Sequence, residues 1–126
     1  MIVIDTSALI DCLAGARPVS YLLRNAVERG ERVLLPSLVL FEWLRGPRQP
    51  AELAAQEALF PSEEAIVFGP REAAMSAQVY RLVKRPRQRE IDLAIASTAI
   101  VREAQLWTLH PDDFSDIPNL RLTALR

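Results

Sequence analysis

Four acidic residues lie in apolar stretches of the chain. They are Asp5 behind IVI, Glu42 in LVLFEWL, Asp92 in EIDLAIA and Asp113 after LWTLHPD. An ionised carboxylate beside hydrocarbon costs free energy unless it is paired or binds a cation. Each acid also has an ordinary explanation, as a helix cap, a favourable charge at a helix amino terminus, a turn residue or a solvent-facing helix position. Taken singly, none of the four indicates a functional site.

Taken together, the four acids predict a metal site. Two follow predicted strands and two are expected in the first turns of helices, so all four could meet at the carboxyl edge of one parallel sheet, where α/β proteins bind ligands. Carboxylates gathered there raise one another's pKa values unless a divalent cation neutralises them. Oxygen ligands without a Cys or His cluster suit Mg²⁺ or Mn²⁺ rather than zinc. Such a cation could activate a water molecule for attack on a phosphodiester.

The elements that must position these acids alternate along the chain. Strands are predicted at 2–5, 33–35, 65–68, 106–109 and 120–125. Helices are predicted at 6–15, 19–29, 38–46, 51–59 and 91–104, with another through 75–83. This alternation predicts an α/β fold with a mostly parallel, four- to five-stranded sheet and helices on both faces.

Composition narrows the class of protein. With 126 residues, half of them apolar, the chain is expected to form a single domain over 1–126. A formal net charge of −1 argues against binding nucleic acid by overall charge alone. The single cysteine, Cys12, excludes an internal disulfide framework and is expected to be a buried, inert thiol. Because neither a membrane-spanning stretch nor a signal peptide is recognisable, we expect a cytoplasmic protein without membrane contact.

The order and spacing of four segments resemble the motifs of PIN-domain nucleases, and in particular of VapC-like toxins from type II toxin–antitoxin pairs. The segments are IVIDTSALID, PSLVLFEWLRG, EIDLAIASTAI and LWTLHPDDF, and the resemblance covers nearly the whole chain. It implies a single PIN-like domain that hydrolyses RNA phosphodiesters with water activated by Mg²⁺ or Mn²⁺. The resemblance also implies which side chains bind the metal and carry catalysis, namely Asp5, Glu42, Asp92 and Asp113.

The fourth segment departs from the usual pattern. His110 stands where family members commonly have Asn, and two neighbouring acids occupy a place where one is usual. We choose Asp113 because it directly precedes Phe114, as the usual acid does, and keep Asp112 in reserve. Four further residues are expected to support the acids by hydrogen bonds, namely Thr6, Ser7, Asp112 and His110. Helix capping or a turn is the ordinary explanation for them.

A basic stretch, RLVKRPRQR at 81–89, carries five positive charges immediately before Asp92. It is a candidate contact for RNA phosphates, although a solvated linker explains it equally well, because no aromatic residue is interleaved to stack on bases. Arg45 follows Glu42 by one helical turn and could contact RNA or screen the acids. The candidate RNA-binding residues are therefore Arg45, Arg85, Arg87 and Arg89.

The resemblance also implies partners. The substrate would be a structured RNA such as a tRNA or rRNA loop, the chain would form a homodimer, and a cognate antitoxin protein would wrap it. A basic antitoxin side chain would then occupy the acidic pocket. The apolar helices at 19–29 and 51–59 could supply the contact surfaces.

Two other classes of function fit parts of the pattern. A catalytically silent PIN-like module that binds RNA or protein would keep the fold without cleavage. An aspartyl phosphotransferase also places an Asp behind the first strand of a parallel sheet. The dehalogenase-like version of that enzyme needs a second Asp where Ser7 stands, and the receiver version needs a lysine near a late strand, whereas Lys84 precedes Asp92.

Overall fold

Four parallel strands form the sheet at the centre of the fold. The computed structural model describes residues 1–15 and 20–123, with Ser20 described in its backbone only. The strands, in the spatial order β2-β1-β3-β4, are β1 (Ile2–Ile4), β2 (Val33–Leu34), β3 (Gln105–Trp107) and β4 (Arg121–Thr123). The register pairs Ile2 with Val33 and Ile4 with Trp107, so β1 and β3 end side by side. This arrangement confirms the predicted parallel α/β fold.

Six α-helices connect and cover these strands in the part of the chain that the structure describes. They are α1 (Thr6–Ala14), α2 (Ser20–Glu28), α3 (Ser37–Arg45), α4 (Pro50–Leu59), α5 (Pro70–Leu82) and α6 (Glu90–Val101). Two 3₁₀ turns, Ser62–Glu64 and Pro111–Phe114, complete the set. None of the described helices is long and apolar enough to cross a membrane.

Helix α6 is the central helix of the core. Every residue from 93 to 99 is buried, and the helix packs on β1, β3, α3 and α5. The hydroxyls of Ser97 and Thr98 donate to carbonyls one turn earlier in the same helix, at 2.7 and 3.0 Å, so they add no unpaired polar group to the core. A helix that is apolar all round must be enclosed, and this rigid element carries Asp92 at its first turn.

The predicted strand at 65–68 is wrong as a strand. A single parallel bridge joins Pro36 and Ile66, and Val67 is 72% exposed. The pairing cannot continue after the bridge because Ser37 already begins α3, and the 3₁₀ turn Ser62–Glu64 limits it before the bridge. The last predicted strand, at 120–125, is present as β4, while 124–126 lie outside the described residues.

Cys12 is a buried thiol, as predicted. Its side chain lies in the core beneath α1, and burial together with the neighbouring Asp11 charge raises its pKa to about 12. A thiol with such a pKa stays protonated at neutral pH and is a poor nucleophile.

A buried ion pair fastens α5 to the carboxyl end of α6. Glu72 is 5% exposed, and its two oxygens accept hydrogen bonds from the Gly69 N–H at 3.1 Å and from Arg102 at 3.2 Å. Burial by itself raises the pKa of Glu72, but the backbone donors and Arg102 outweigh it, so the pKa lies below its ordinary value. The ionised carboxylate therefore stabilises the folded chain.

We expect Glu72→Gln to lower the free energy of unfolding by about 1–2 kcal/mol at pH 7, because one partner of a hydrogen-bonded charge pair is removed. Because the folded-state pKa is lowered, this difference is fully present above the ordinary Glu pKa near 4.5 and disappears as the pH falls through the lower folded-state value. Urea unfolding between pH 3 and 7 measures it. Glu63→Gln at an exposed position is the matched control, and a difference independent of pH would contradict the assignment.

Candidate metal centre

Asp5 lies between the end of β1 and the start of α1. Its Oδ1 accepts hydrogen bonds from the Ala8 N–H at 2.9 Å and from the Ser7 hydroxyl at 2.8 Å, so it caps the helix. Its own N–H donates to the Trp107 carbonyl at 3.0 Å, which ties it to the end of β3. Within the described residues Oδ2 accepts no hydrogen bond, so this oxygen remains for a ligand. Capping and site membership are thus compatible for Asp5.

Two hydroxyl groups fix the chain after β3 against Asp5. The Ser7 oxygen accepts a hydrogen bond from the Leu109 N–H at 3.1 Å and lies 3.4 Å from the hydroxyl of Thr108. The Thr108 oxygen in turn accepts from the His110 N–H at 3.0 Å, whereas the His110 side chain is exposed. Thr108 could not be singled out from sequence, because its partner Ser7 is 101 residues away and no local pattern links the two positions.

Glu42 is held by two neighbours. Glu42 lies in the second turn of α3, whereas the sequence analysis predicted the first turn. The Thr6 hydroxyl donates to Oε1 at 2.5 Å, and Arg45 donates to Oε2 at 3.1 Å. The Arg45 guanidinium also lies 5.2 Å from the centre of the exposed Phe41 ring. Both predicted neighbours, Thr6 and Arg45, therefore contact this acid directly.

Three other acids act electrostatically on Asp92. Burial raises its pKa above the ordinary value, and the negative charges of Glu42, Asp5 and Asp113 raise it further, in that order. Arg89 opposes this effect. Three acids from separate parts of the sequence therefore lie within electrostatic range of Asp92.

The two neighbouring acids of the fourth segment differ in this respect. Asp112 and Asp113 both lie exposed in the turn Pro111–Phe114. The charge of Asp113 acts on Asp92, whereas that of Asp112 is not among the charges that shift the pKa of Asp92. This difference favours Asp113 as the fourth member of the cluster.

The donor chemistry of the cluster fits a hard divalent cation. All four candidate ligands offer carboxylate oxygens, the ligands that Mg²⁺ and Mn²⁺ prefer. As the described side chains stand, no group of three or more His, Cys, Asp or Glu has the geometry to hold a metal ion. Each Glu42 oxygen accepts one hydrogen bond, from Thr6 or Arg45, and keeps a second lone pair that a cation can use.

Comparison with known proteins assigns the family. Residues 2–120 match the family model described as PIN domain. The chain belongs to the PIN domain family. Ribonuclease VapC19 of Mycobacterium tuberculosis is 35% identical to this PIN domain, over 96% of this chain and 98% of that protein.

Solved structures share the fold. The crystal structure of DNA-bound VapBC from Salmonella typhimurium matches with a TM-score of 0.80, over 97% of this chain and 96% of that chain, at 20% identity. VapBC2 from Rickettsia felis, bound to a DNA fragment from their promoter, matches with a TM-score of 0.76 and the same identity, over 98% of both chains. FitAcB from Neisseria gonorrhoeae matches with a TM-score of 0.72 at 19% identity, over 98% of this chain and 97% of that chain. At these identities the likeness establishes the fold of this PIN domain.

A groove of about 760 Å³ opens beside Asp92 in this PIN domain. Its lining residues, which are both basic and acidic, are Lys84, Arg85, Arg89, Asp92, Asp112, Asp113, Ser115 and Asp116. Arg85 and Arg87 are exposed, whereas Arg89 is bound to Asp116 within the chain. The candidate RNA-binding arginines thus differ in how free their side chains are to meet a phosphate.

Proposed function

We propose that this PIN domain is a divalent-metal-dependent endoribonuclease and the toxin of a toxin–antitoxin pair. The observation that supports the proposal is that Glu42, Asp5 and Asp113 all act electrostatically on Asp92, in a chain 35% identical to a ribonuclease. Asp5, Glu42, Asp92 and Asp113 would bind Mg²⁺ or Mn²⁺ and form the catalytic centre. Thr6, Ser7, Asp112 and His110 would support them from outside the ligand set.

The residues of the site divide the work of binding and orientation. A bound Mg²⁺ or Mn²⁺ supplies a Lewis acid that activates water and stabilises charge on the phosphate. Asp5 is kept in a single orientation by Ser7 and the amino terminus of α1, which leaves its Oδ2 for binding. Thr6 and Arg45 hold Glu42 by hydrogen bonds, and the exposed side of Arg45 would be available to an RNA phosphate.

The exposed arginines beside the site would guide the RNA backbone into the groove. We expect the double substitution Arg85→Ala and Arg87→Ala to weaken RNA binding and to reduce the salt dependence of the affinity by about 0.7 per lost phosphate contact in log–log slope. Binding titrations at several salt concentrations measure this. Arg24→Ala on α2 is the control, and an unchanged slope in the double variant would remove these residues from the interface.

Partners would bind on the apolar side of the domain. Large apolar side chains are exposed on α2 and α4, namely Tyr21, Val27, Leu53 and Leu59. We assign these helices as surfaces for a cognate antitoxin and for a second copy of the chain in a homodimer. The antitoxin would place a basic side chain in the acidic groove. The substrate would be a structured RNA such as a tRNA or rRNA, met in the cytoplasm.

Cleavage of cellular RNA by the purified chain, titrated with Mg²⁺ or Mn²⁺ and quenched with EDTA, tests the proposed function. Cut fragments should appear only with the divalent ion, and their ends identify the site of cleavage by sequencing. Binding of RNA without cleavage at any metal concentration would indicate a silent binding module. A phosphorylated Asp5 after incubation with a phosphodonor would indicate a phosphotransferase.

A further inference from the structure

Arg89 lies beside the acids, and its guanidinium donates hydrogen bonds to one carboxylate and two main-chain carbonyls. It precedes α6 and is three residues from Asp92. Its guanidinium makes a bidentate pair with Asp116, at 2.9 Å to Oδ2 and 2.7 Å to Oδ1. It also donates to the carbonyl of Asp113 at 3.0 Å and to that of Arg85 at 3.3 Å. Its side chain is only 23% exposed.

These contacts join the segment 85–89 to a second segment that lies 24 to 27 residues later in the sequence. Arg89 is the residue from which α6 starts, Arg85 belongs to the loop after α5, and Asp116 follows the turn that carries the fourth acid. The carbonyl that Arg89 holds belongs to Asp113 itself. The contacts therefore fix the main chain of the fourth acid relative to the helix that carries Asp92.

The geometry depends on the shape of the guanidinium. Its planar fork can donate two parallel hydrogen bonds to one carboxylate while further N–H groups reach carbonyls. A lysine carries the same charge but has a single ammonium group and cannot reproduce this arrangement. Comparing Arg89 with Lys at this position therefore separates the effect of charge from the effect of guanidinium shape.

An alternative role for Arg89 is direct contact with an RNA phosphate. The guanidinium of Arg89 is already bound to Asp116. These hydrogen bonds are also the main reason why the pKa of Arg89 is raised. The neighbouring Arg85 and Arg87 side chains are exposed and need no such bond to be broken. The observations therefore favour an internal role for Arg89.

We propose that Arg89 is a positioning residue, which through Asp116 and the Asp113 carbonyl holds the fourth acid against Asp92 and keeps Asp116 out of the ligand set. This inference rests on the metal site proposed above. Residues that orient metal ligands from outside the ligand set commonly change metal affinity or activity by about 10–100-fold when substituted.

Titration of the RNA-free protein with Mn²⁺ in a calorimeter tests the positioning role. Arg89→Lys keeps the charge and should weaken Mn²⁺ binding by about 10–100-fold. The direction in which Arg89→Met changes the Mn²⁺ affinity decides between positioning and charge. If Arg89 acted only through its charge, removing a cation beside four acids would strengthen Mn²⁺ binding, whereas loss of positioning weakens it. Arg32→Lys, the same exchange at an exposed position just before β2, should leave the affinity unchanged.

A double-mutant cycle tests whether Arg89 acts through Asp116. Asp116→Asn should also weaken Mn²⁺ binding, and the double variant with Arg89→Lys should be little weaker than the more affected single variant, since both changes break one contact. Independent, additive effects would contradict action through Asp116. Melting curves of the metal-free variants establish that each remains folded. Asp116→Asn, a nearly isosteric change at a half-exposed position, keeps the test decisive if an Arg89 variant fails to fold.

The outcomes separate this inference from the proposed function. Wild-type protein that neither binds Mn²⁺ nor cleaves RNA would overturn the metal site and the positioning role together. Wild-type protein that does both, with Arg89→Lys and Asp116→Asn equal to it in Mn²⁺ affinity, would overturn the positioning role alone. An Arg89→Met variant with stronger Mn²⁺ binding would reduce Arg89 to a screening charge.

Discussion

Asp5→Asn should lose RNA cleavage by about a thousandfold while the fold stays intact. A cation at the site contributes several kcal/mol of transition-state stabilisation, and about 4 kcal/mol corresponds to a factor of a thousand. Asn retains an oxygen that can accept the hydrogen bonds from Ala8 and Ser7, and it caps helices as well as Asp does. Initial rates of cleavage at saturating Mg²⁺ and the melting temperature in EDTA measure the two effects.

Asp11→Asn is the matched control for this exchange. Asp11 lies on the same helix, α1, and is not one of the four clustered acids. It should cleave at the wild-type rate. Growth of cells expressing the two variants gives an independent comparison, because only Asp5→Asn should relieve growth arrest. Full cleavage by Asp5→Asn would remove this residue from the metal site.

Asp92→Asn should abolish cleavage and raise the melting temperature of the metal-free protein. Its carboxylate is partly buried among Glu42, Asp5 and Asp113, and its raised pKa means that the ionised form disfavours folding. The amide removes this repulsion and also removes a ligand. Stability gained at the expense of activity is the behaviour expected of a functional residue.

Calorimetric melting in EDTA at pH 7, paired with cleavage assays in Mg²⁺, measures both changes for Asp92→Asn. Asp11→Asn again serves as the control and should leave both quantities near their wild-type values. Because added Mn²⁺ neutralises the repulsion, it should stabilise the wild-type protein more than Asp92→Asn. A lower melting temperature for Asp92→Asn in EDTA would show that the acids do not strain the fold.

Elements that are buried because of their own apolar sequence could be predicted from that sequence. The apolar run Ile2-Val3-Ile4 is buried throughout, as expected of a strand covered on both faces, and α6 follows from a long, mostly apolar segment. The run at 65–68 is also apolar, yet Val67 is largely exposed. Composition alone could not exclude that strand, because its pairing is limited by α3, which begins at Ser37, and by the 3₁₀ turn Ser62–Glu64.

The four acids could be singled out as candidates from sequence, whereas the contacts that hold them could not be predicted. Parallel strands place their carboxyl ends at one edge, so a strand-following Asp5 and a helix-leading Asp92 could be expected to meet. The partners that hold Glu42 and Arg89 could not. The Thr6–Glu42 hydrogen bond spans 36 residues and the Arg89–Asp116 pair spans 27, and no spacing rule links such positions.

Crystals of the wild-type protein soaked in Mn²⁺, measured for anomalous scattering, test most directly whether the four acids share a cation. We expect an anomalous peak within coordinating distance of Asp5 and Asp92 oxygens, with Glu42 and Asp113 bound to the same ion directly or through water. A peak elsewhere on the chain, or full Mn²⁺ occupancy in crystals of Asp5→Asn, would contradict a shared metal site.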